Sequence, residues 1–152
     1  MTPAIKLLEK NKIIFEILKF EHDANSPSFA AEAAEKLNLN AAQVFKTLLV
    51  DVDGELNVAI LPATRQVDLK AFAKVCKGKK AILADAKKAQ NTTGYLIGGI
   101  SPFAQKKRLN TLLHSDAQQF ERIYVSAGKR GLEVAVAPSD CISLCNAAFA
   151  HF

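Results

Sequence analysis

Lys46-Thr47-Leu48-Leu49-Val50-Asp51-Val52, then Asp53-Gly54, then Glu55-Leu56-Asn57-Val58-Ala59-Ile60-Leu61: this stretch decides the fold. Two apolar, partly β-branched runs flank an Asp-Gly step, the turn chemistry of a tight two-residue hairpin. A strand over 46–52 is therefore predicted to reverse at Asp53-Gly54 and pair back through 55–61. Further on, Gly128-Lys129-Arg130-Gly131 is a second turn, joining a strand over 123–125 to one over 132–137. Two hairpins require antiparallel pairing. Set among interleaved helices, they predict an α+β domain around one mixed, partly barrel-like sheet and argue against a doubly wound parallel sheet.

The rest of the chain reads outward from these hairpins. Thr2-Pro3 starts a helix through about Lys10, with Thr as cap and Pro in the first turn, burying Ala4, Leu7 and Leu8. Residues 13–20 (IIFEILKF) read as a strand. Ser26-Pro27-Ser28 breaks the chain; Ser28 is then expected to cap a helix running to about Leu37, and Asn40 a short helix leading to Phe45. Asp68 and Asp85 cap two more helices, with a short strand over 81–83 between them. A Gly-rich connection covers 95–103, a strand 109–113, and Pro138 opens a last helix through Leu144. No repeat, long linker or low-complexity segment interrupts the 152 residues, so one domain over 1–152 is expected.

Composition narrows the class. Hydrophobic residues make up 49% and charged residues 23%, an ordinary globular balance. No apolar run reaches the roughly 18 residues of a membrane span, and the N-terminus does not read as a signal peptide. Cys76, Cys141 and Cys145 are odd in number and form no disulfide framework, which fits a reducing, cytoplasmic setting. The net charge of +5 is uneven: residues 1–60 carry six lysines against nine acidic residues, residues 61–152 fourteen basic against six acidic. A basic C-terminal part suggests an anionic partner, with RNA the natural candidate. The same surplus also fits a solvated basic surface.

Three features bear on chemistry. Lys46 is a cation in a strand that is apolar on both faces; its head either snorkels to water or stands at the floor of a pocket awaiting an anionic or carbonyl-bearing ligand. The segment Thr93-Gly94-Tyr95-Leu96-Ile97-Gly98-Gly99-Ile100-Ser101-Pro102 carries paired glycines. Without Cβ atoms, their backbone N–H groups can approach a ligand and support a developing oxyanion; a bent crossing and turn is the simpler reading. Ser126-Ala127-Gly128-Lys129-Arg130-Gly131, with Lys106-Lys107-Arg108 before it, presents basic groups that either hold phosphate or decorate a solvated hairpin tip. The pattern contains no phosphate-binding P-loop or dinucleotide fingerprint, no second Cys/His pair to complete a zinc site with Cys141 and Cys145, and no legible Ser-His-Asp arrangement. No metal or cofactor is expected.

Phe45–Val50 with Lys46 second, Thr93-Gly94-Tyr95 followed by Gly98-Gly99-Ile100-Ser101-Pro102 and Gln105-Lys106-Lys107-Arg108, and Val125-Ser126-Ala127-Gly128-Lys129-Arg130-Gly131-Leu132 together resemble the YbaK/EbsC family in order and spacing. Thr2-Pro3-Ala4 and the Glu32–Leu37 helix resemble it too, so the likeness spans the chain. The resemblance implies the fold shared with the editing domain inserted in bacterial prolyl-tRNA synthetases. It implies hydrolysis of mischarged Cys-tRNA(Pro), in partnership with prolyl-tRNA synthetase and tRNA. It places Lys46 at the family's essential lysine and 98–102 at the pocket loop, with Gly98 and Gly99 supporting carbonyl and ribose oxygens. Phe20, Phe45, Thr47, Tyr95, Ile100, Ser101, Pro102, Ser126 and Gly128 are then expected at the substrate. Phe20 stands where the family can carry a tyrosine, and so shapes the site without donating a hydrogen bond. Lys106, Lys107, Arg108, Lys129 and Arg130 are expected along the tRNA. The family's proposed mechanism needs no protein nucleophile: the substrate's cysteine thiol attacks its own ester, giving a thiolactone and free tRNA. Two alternatives stand beside it: a deacylase for Ala-tRNA(Pro) or another small amino acid, and a non-catalytic tRNA- or synthetase-binding module.

Overall fold

The computed structural model describes residues 1–26 and 29–152. In chain order these contain α1 (Pro3–Lys10), β1 (Glu16–Lys19), α2 (Phe29–Lys36), β2 (Phe45–Val52), β3 (Glu55–Pro62), α3 (Leu69–Val75) and β4 (Ala81–Leu83). There follow α4 (Ala86–Thr93), β5 (Asn110–His114), β6 (Ile123–Lys129), β7 (Leu132–Val136), α5 (Pro138–Cys145) and β8 (Ala148–Ala150). The α+β class is as expected. A mixed sheet is present too, but the strands divide between it, five strands ordered β4-β2-β3-β5-β8, and a three-stranded sheet ordered β1-β7-β6, and the two do not close into a barrel. They touch where Val44, at the entry to β2, bridges Tyr124 of β6.

The hairpin of β2 and β3 forms because Asp53 and Gly54 both adopt positive φ, 52° and 93°, as the tight turn requires. The Gly54 N–H donates to Asp51 Oδ1 at 2.7 Å, and the Asp53 carboxylate accepts the N–H groups of Lys79 and Lys80, tying the approach to β4 onto the turn. From Val58 to Pro62, β3 is an unbroken apolar run because it is buried on both faces. Val58 and Ile60 join the main core with Phe45, Leu49, Leu113, Val125 and Val134; Ala59 and Leu61 face Phe72 of α3. The pairings of β3 with β5 and of β5 with β8 are parallel, and β8 had no signal in the sequence.

Two expectations are corrected at the edges. The strand expected over 13–20 shrinks to Glu16–Lys19, an edge strand with Ile17 exposed, and Ile14 is exposed ahead of it. In α1 the buried face is Ala4, Ile5 and Leu8, with Leu7 only half-buried. Thr2 caps α1 as expected, accepting the Ile5 N–H, and its hydroxyl also donates to Ala127 O, which fixes the helix against β6. The expected Ser28 cap lies outside the described residues.

Candidate active site

Where the start of β2 meets β6 and β7, the two sheets leave a cavity of about 270 Å³. β2 contributes Phe45, Lys46, Thr47 and Leu48; β6 and β7 contribute Ser126 and Glu133. Phe29 and Ala30 of α2 form another wall, and Ile97, Gly98 and Ile100 of the loop after α4 complete it.

The loop is shaped by what lies behind it. Gly98 has φ +88°, a conformation that strains any residue with a Cβ, and a Cβ there would come within 2.8 Å of Arg130 Nε and of the Phe29 ring. Those two groups are themselves locked: the Arg130 guanidinium sits 4.6 Å from the Phe29 ring centroid, and its Nε–H donates to Ile97 O at 2.8 Å. Gly99 is pressed against the Lys129–Arg130 backbone, and its N–H donates to Leu96 O at 2.9 Å. That bond takes the Gly99 N–H out of the set of oxyanion donors expected from the sequence. The Gly98 N–H makes no bond to a described residue.

Three residues of the cavity wall carry a polar group with no partner among the described residues. Lys46 is half-buried, and desolvation lowers the pKa of its ammonium, which no carboxylate offsets. The Thr47 hydroxyl is buried and makes no hydrogen bond. Glu133 is 7% exposed, and burial pushes its carboxyl up to about 8. Sequence reading missed Glu133, although it is the one charged residue in β7, a strand otherwise made of Leu, Val and Ala. It also missed Phe29, Ala30, Leu48 and Ile97.

Residues 25–144 match the profile of the aminoacyl-tRNA editing domain. The chain belongs to that family. A relative from Enterococcus faecalis (strain ATCC 700802 / V583), named "Putative Cys-tRNA(Pro)/Cys-tRNA(Cys) deacylase EbsC", is 38% identical over 152 residues, covering 99% of this chain and 92% of its own. Two solved structures share the fold. One is described as a "putative trans-editing enzyme for prolyl tRNA synthetase" (TM-score 0.84, 18% identity, 99% of this chain and 97% of that one). The other is the hypothetical protein APE2540 (TM-score 0.86, 18% identity, 99% and 98%).

Within this editing domain, Lys46, Gly98, Phe45, Thr47, Ile100 and Ser126 meet at the cavity. The remaining residues expected at the substrate stand behind it or elsewhere. Tyr95 is buried, donates its hydroxyl hydrogen to Phe103 O at 2.7 Å, and packs its ring against Gly128. Ser101 accepts the Phe103 N–H, and Pro102 borders a separate groove of about 210 Å³ beside Lys107 and Arg108. Phe20 packs near Ala33, Ala34 and Val44 and borders a third cleft, of about 470 Å³, with Lys19, Lys129 and Arg130. These departures share a cause: sequence order does not say which side of a loop faces the cavity. Among the described residues no group of three or more His, Cys, Asp or Glu could hold a metal ion, and no helix is long and apolar enough to cross a membrane.

Proposed function

We propose that this editing domain deacylates Cys-tRNA(Pro) in the cytoplasm, with Lys46 fixing the aminoacyl-adenosine end in the cavity and the substrate's own thiol displacing the tRNA. The observation that carries this reading is the unpartnered Lys46 ammonium at a cavity whose described walls contain no Cys or His. Among the described residues of the cavity no histidine accompanies Ser126, and its Oγ accepts the Gly128 N–H at 3.2 Å. A site without an activated nucleophile suits a substrate that brings one, and holding thiol and ester together in one cavity supplies several kcal/mol of the barrier lowering. The Gly98 N–H is the backbone donor left to support the carbonyl oxygen. The name of the Enterococcus relative supports the cysteinyl ester as substrate, and that of the solved trans-editing enzyme supports work alongside prolyl-tRNA synthetase.

The test is amino-acid release from Cys-tRNA(Pro), Cys-tRNA(Cys), Ala-tRNA(Pro) and Pro-tRNA(Pro), with and without prolyl-tRNA synthetase. Loss of the cysteinyl esters alone is expected. Loss of the alanyl ester keeps the site and rejects the thiol mechanism; loss of none leaves a binding module.

A further inference from the structure

Glu133 is a carboxyl that the fold neither pairs nor exposes. It is 7% exposed, makes no hydrogen bond or ion pair to a described residue, and lies on the cavity wall. Its place is set by register: Glu133 is opposite Ser126 on β6 and Leu18 on β1, so Glu133 and Ser126 emerge side by side on one face. Both line the cavity that Lys46 enters from β2. An isolated buried carboxyl costs stability, and nothing in β7 itself requires one, since Val, Leu or Ala fills every other position of the strand.

We propose that Glu133 carries the proton of the deacylation: its carboxylate takes the proton from the substrate thiol and returns it to the departing ribose oxygen. This deepens the reading of Cys-tRNA(Pro) as substrate and rests on it. The balance is internal. As the S–H proton moves to a Glu133 oxygen, the sulfur lone pair forms the S–C bond and the carbonyl electrons move to oxygen. When the carbonyl re-forms, the C–O bond to ribose breaks, the ribose oxygen leaves with the electron pair, and it takes the proton from the Glu133 carboxyl. The products are the thiolactone and tRNA with a free hydroxyl, and Glu133 is again a carboxylate. While it is an ammonium, Lys46 cannot accept the thiol proton, and its charge serves the carbonyl oxygen or the phosphate side.

The surroundings suit the exchange. Burial pushes the Glu133 carboxyl up to about 8, close to the ordinary thiol value of about 8.5, so transfer in either direction is nearly level; the carboxylate that starts the reaction is the minor form at about pH 7, and the wild-type rate should climb as pH rises toward about 8. Among the described residues, the other ionisable side chain at the cavity is Lys46. Ser126 and Leu18 neighbour Glu133 across the strands, and Phe29, Ala30, Ile97, Gly98 and Ile100 share its cavity wall; none of them titrates in this range.

The experiment is single-turnover release of cysteine from Cys-tRNA(Pro) by wild type, Glu133→Gln and Glu133→Ala, from about pH 6.5 to about pH 9, a window that spans the thiol's ionisation. Glu133→Gln should lower the rate by roughly 10²-fold at about pH 7, with substrate affinity kept, and the deficit should narrow as the thiol ionises unaided above about pH 8.5. Formate should restore part of the Glu133→Ala rate. The thermal midpoint of Glu133→Gln should equal or exceed that of wild type, because an isolated buried carboxyl is removed. A variant as fast as wild type, or a deficit equal at every pH and untouched by formate, overturns the proposal while the substrate assignment stands. A wild type that releases no cysteine overturns both.

Discussion

The Arg130 guanidinium lies over the Phe29 ring, 4.6 Å from its centroid, and so joins the β6–β7 turn to the helix that walls the cavity. Gly98 fits beneath this pair because it has no Cβ. Gly98→Ala combines a strained positive φ with approaches of 2.8 Å, and should cost about 1–3 kcal/mol of stability. For a chain of this length that is a fall in Tm of about 2–12 °C, read by thermal unfolding. Deacylation should fall further than the reduced stability explains, since Phe29, Gly98 and Ile97 all line the cavity.

The Thr47 hydroxyl is buried without a partner, so Thr47→Val removes an unsatisfied group at nearly constant volume. The free protein should be unchanged or more stable, while KM for the aminoacyl ester rises about 5- to 10-fold, the size of one hydrogen bond removed. Equal KM for the two proteins would place the hydroxyl away from the substrate.

Glu32 ties His22 and Asp23 to α2. It accepts from Asp23 N–H at 2.7 Å and meets His22 Nδ1 at 2.7 Å and Lys36 Nζ at 3.2 Å. Burial pushes its pKa up, but the bonds to His22, the Asp23 N–H and Lys36 outweigh it and leave the group below its ordinary value of 4.5. A carboxylate held low in the folded state stabilises above the unfolded-state pKa, and that stabilisation is lost as pH falls through the folded one. Glu32→Gln should therefore cost about 1–3 kcal/mol at about pH 7, with the gap to wild type closing as pH drops below about 4.5. Denaturant melts at about pH 7 and about pH 3 measure both ends. His22 also packs its ring 5.6 Å from that of Phe29, so the substitution should loosen the cavity wall as well.

Charge reversal at Lys129, or at Lys106, Lys107 and Arg108 together, should weaken tRNA binding. It should also flatten the dependence of log K on log salt, by about 0.7–0.9 for each phosphate left without its cation. Filter binding over a salt series reads both. An unchanged slope would take these residues off the tRNA path.

Local chemistry made much of this legible from the chain alone. The Asp53-Gly54 turn needs two positive φ values that few residue pairs supply, and Thr2, Asn40, Asp68 and Asp85 each cap the helix that follows, as their side chains predict. Lys46 stood out as a charge in an apolar strand, and the Gly98-Gly99 pair as backbone without Cβ atoms. What escaped depends on neighbours distant in sequence. The parallel strands β3, β5 and β8 are brought together by crossovers that leave no local mark. Glu133 gains its significance only from the β6–β7 register and the approach of β2. Phe29 and Ala30 line the cavity only because α2 is laid across it. The Gly99 N–H, expected free, is used by a turn closing on Leu96.

Removal of cysteine from tRNA at the Lys46 cavity is tested most directly by single-turnover deacylation of Cys-tRNA(Pro) by wild type and Lys46→Ala, with thermal unfolding of each as control. Lys46 forms no ion pair with a described residue, and burial disfavours its charge, so the variant should fold with an unchanged or slightly higher Tm. Its rate of cysteine release should drop to that of the ester in buffer. A Lys46→Ala protein that releases cysteine as fast as wild type would contradict this role for the cavity.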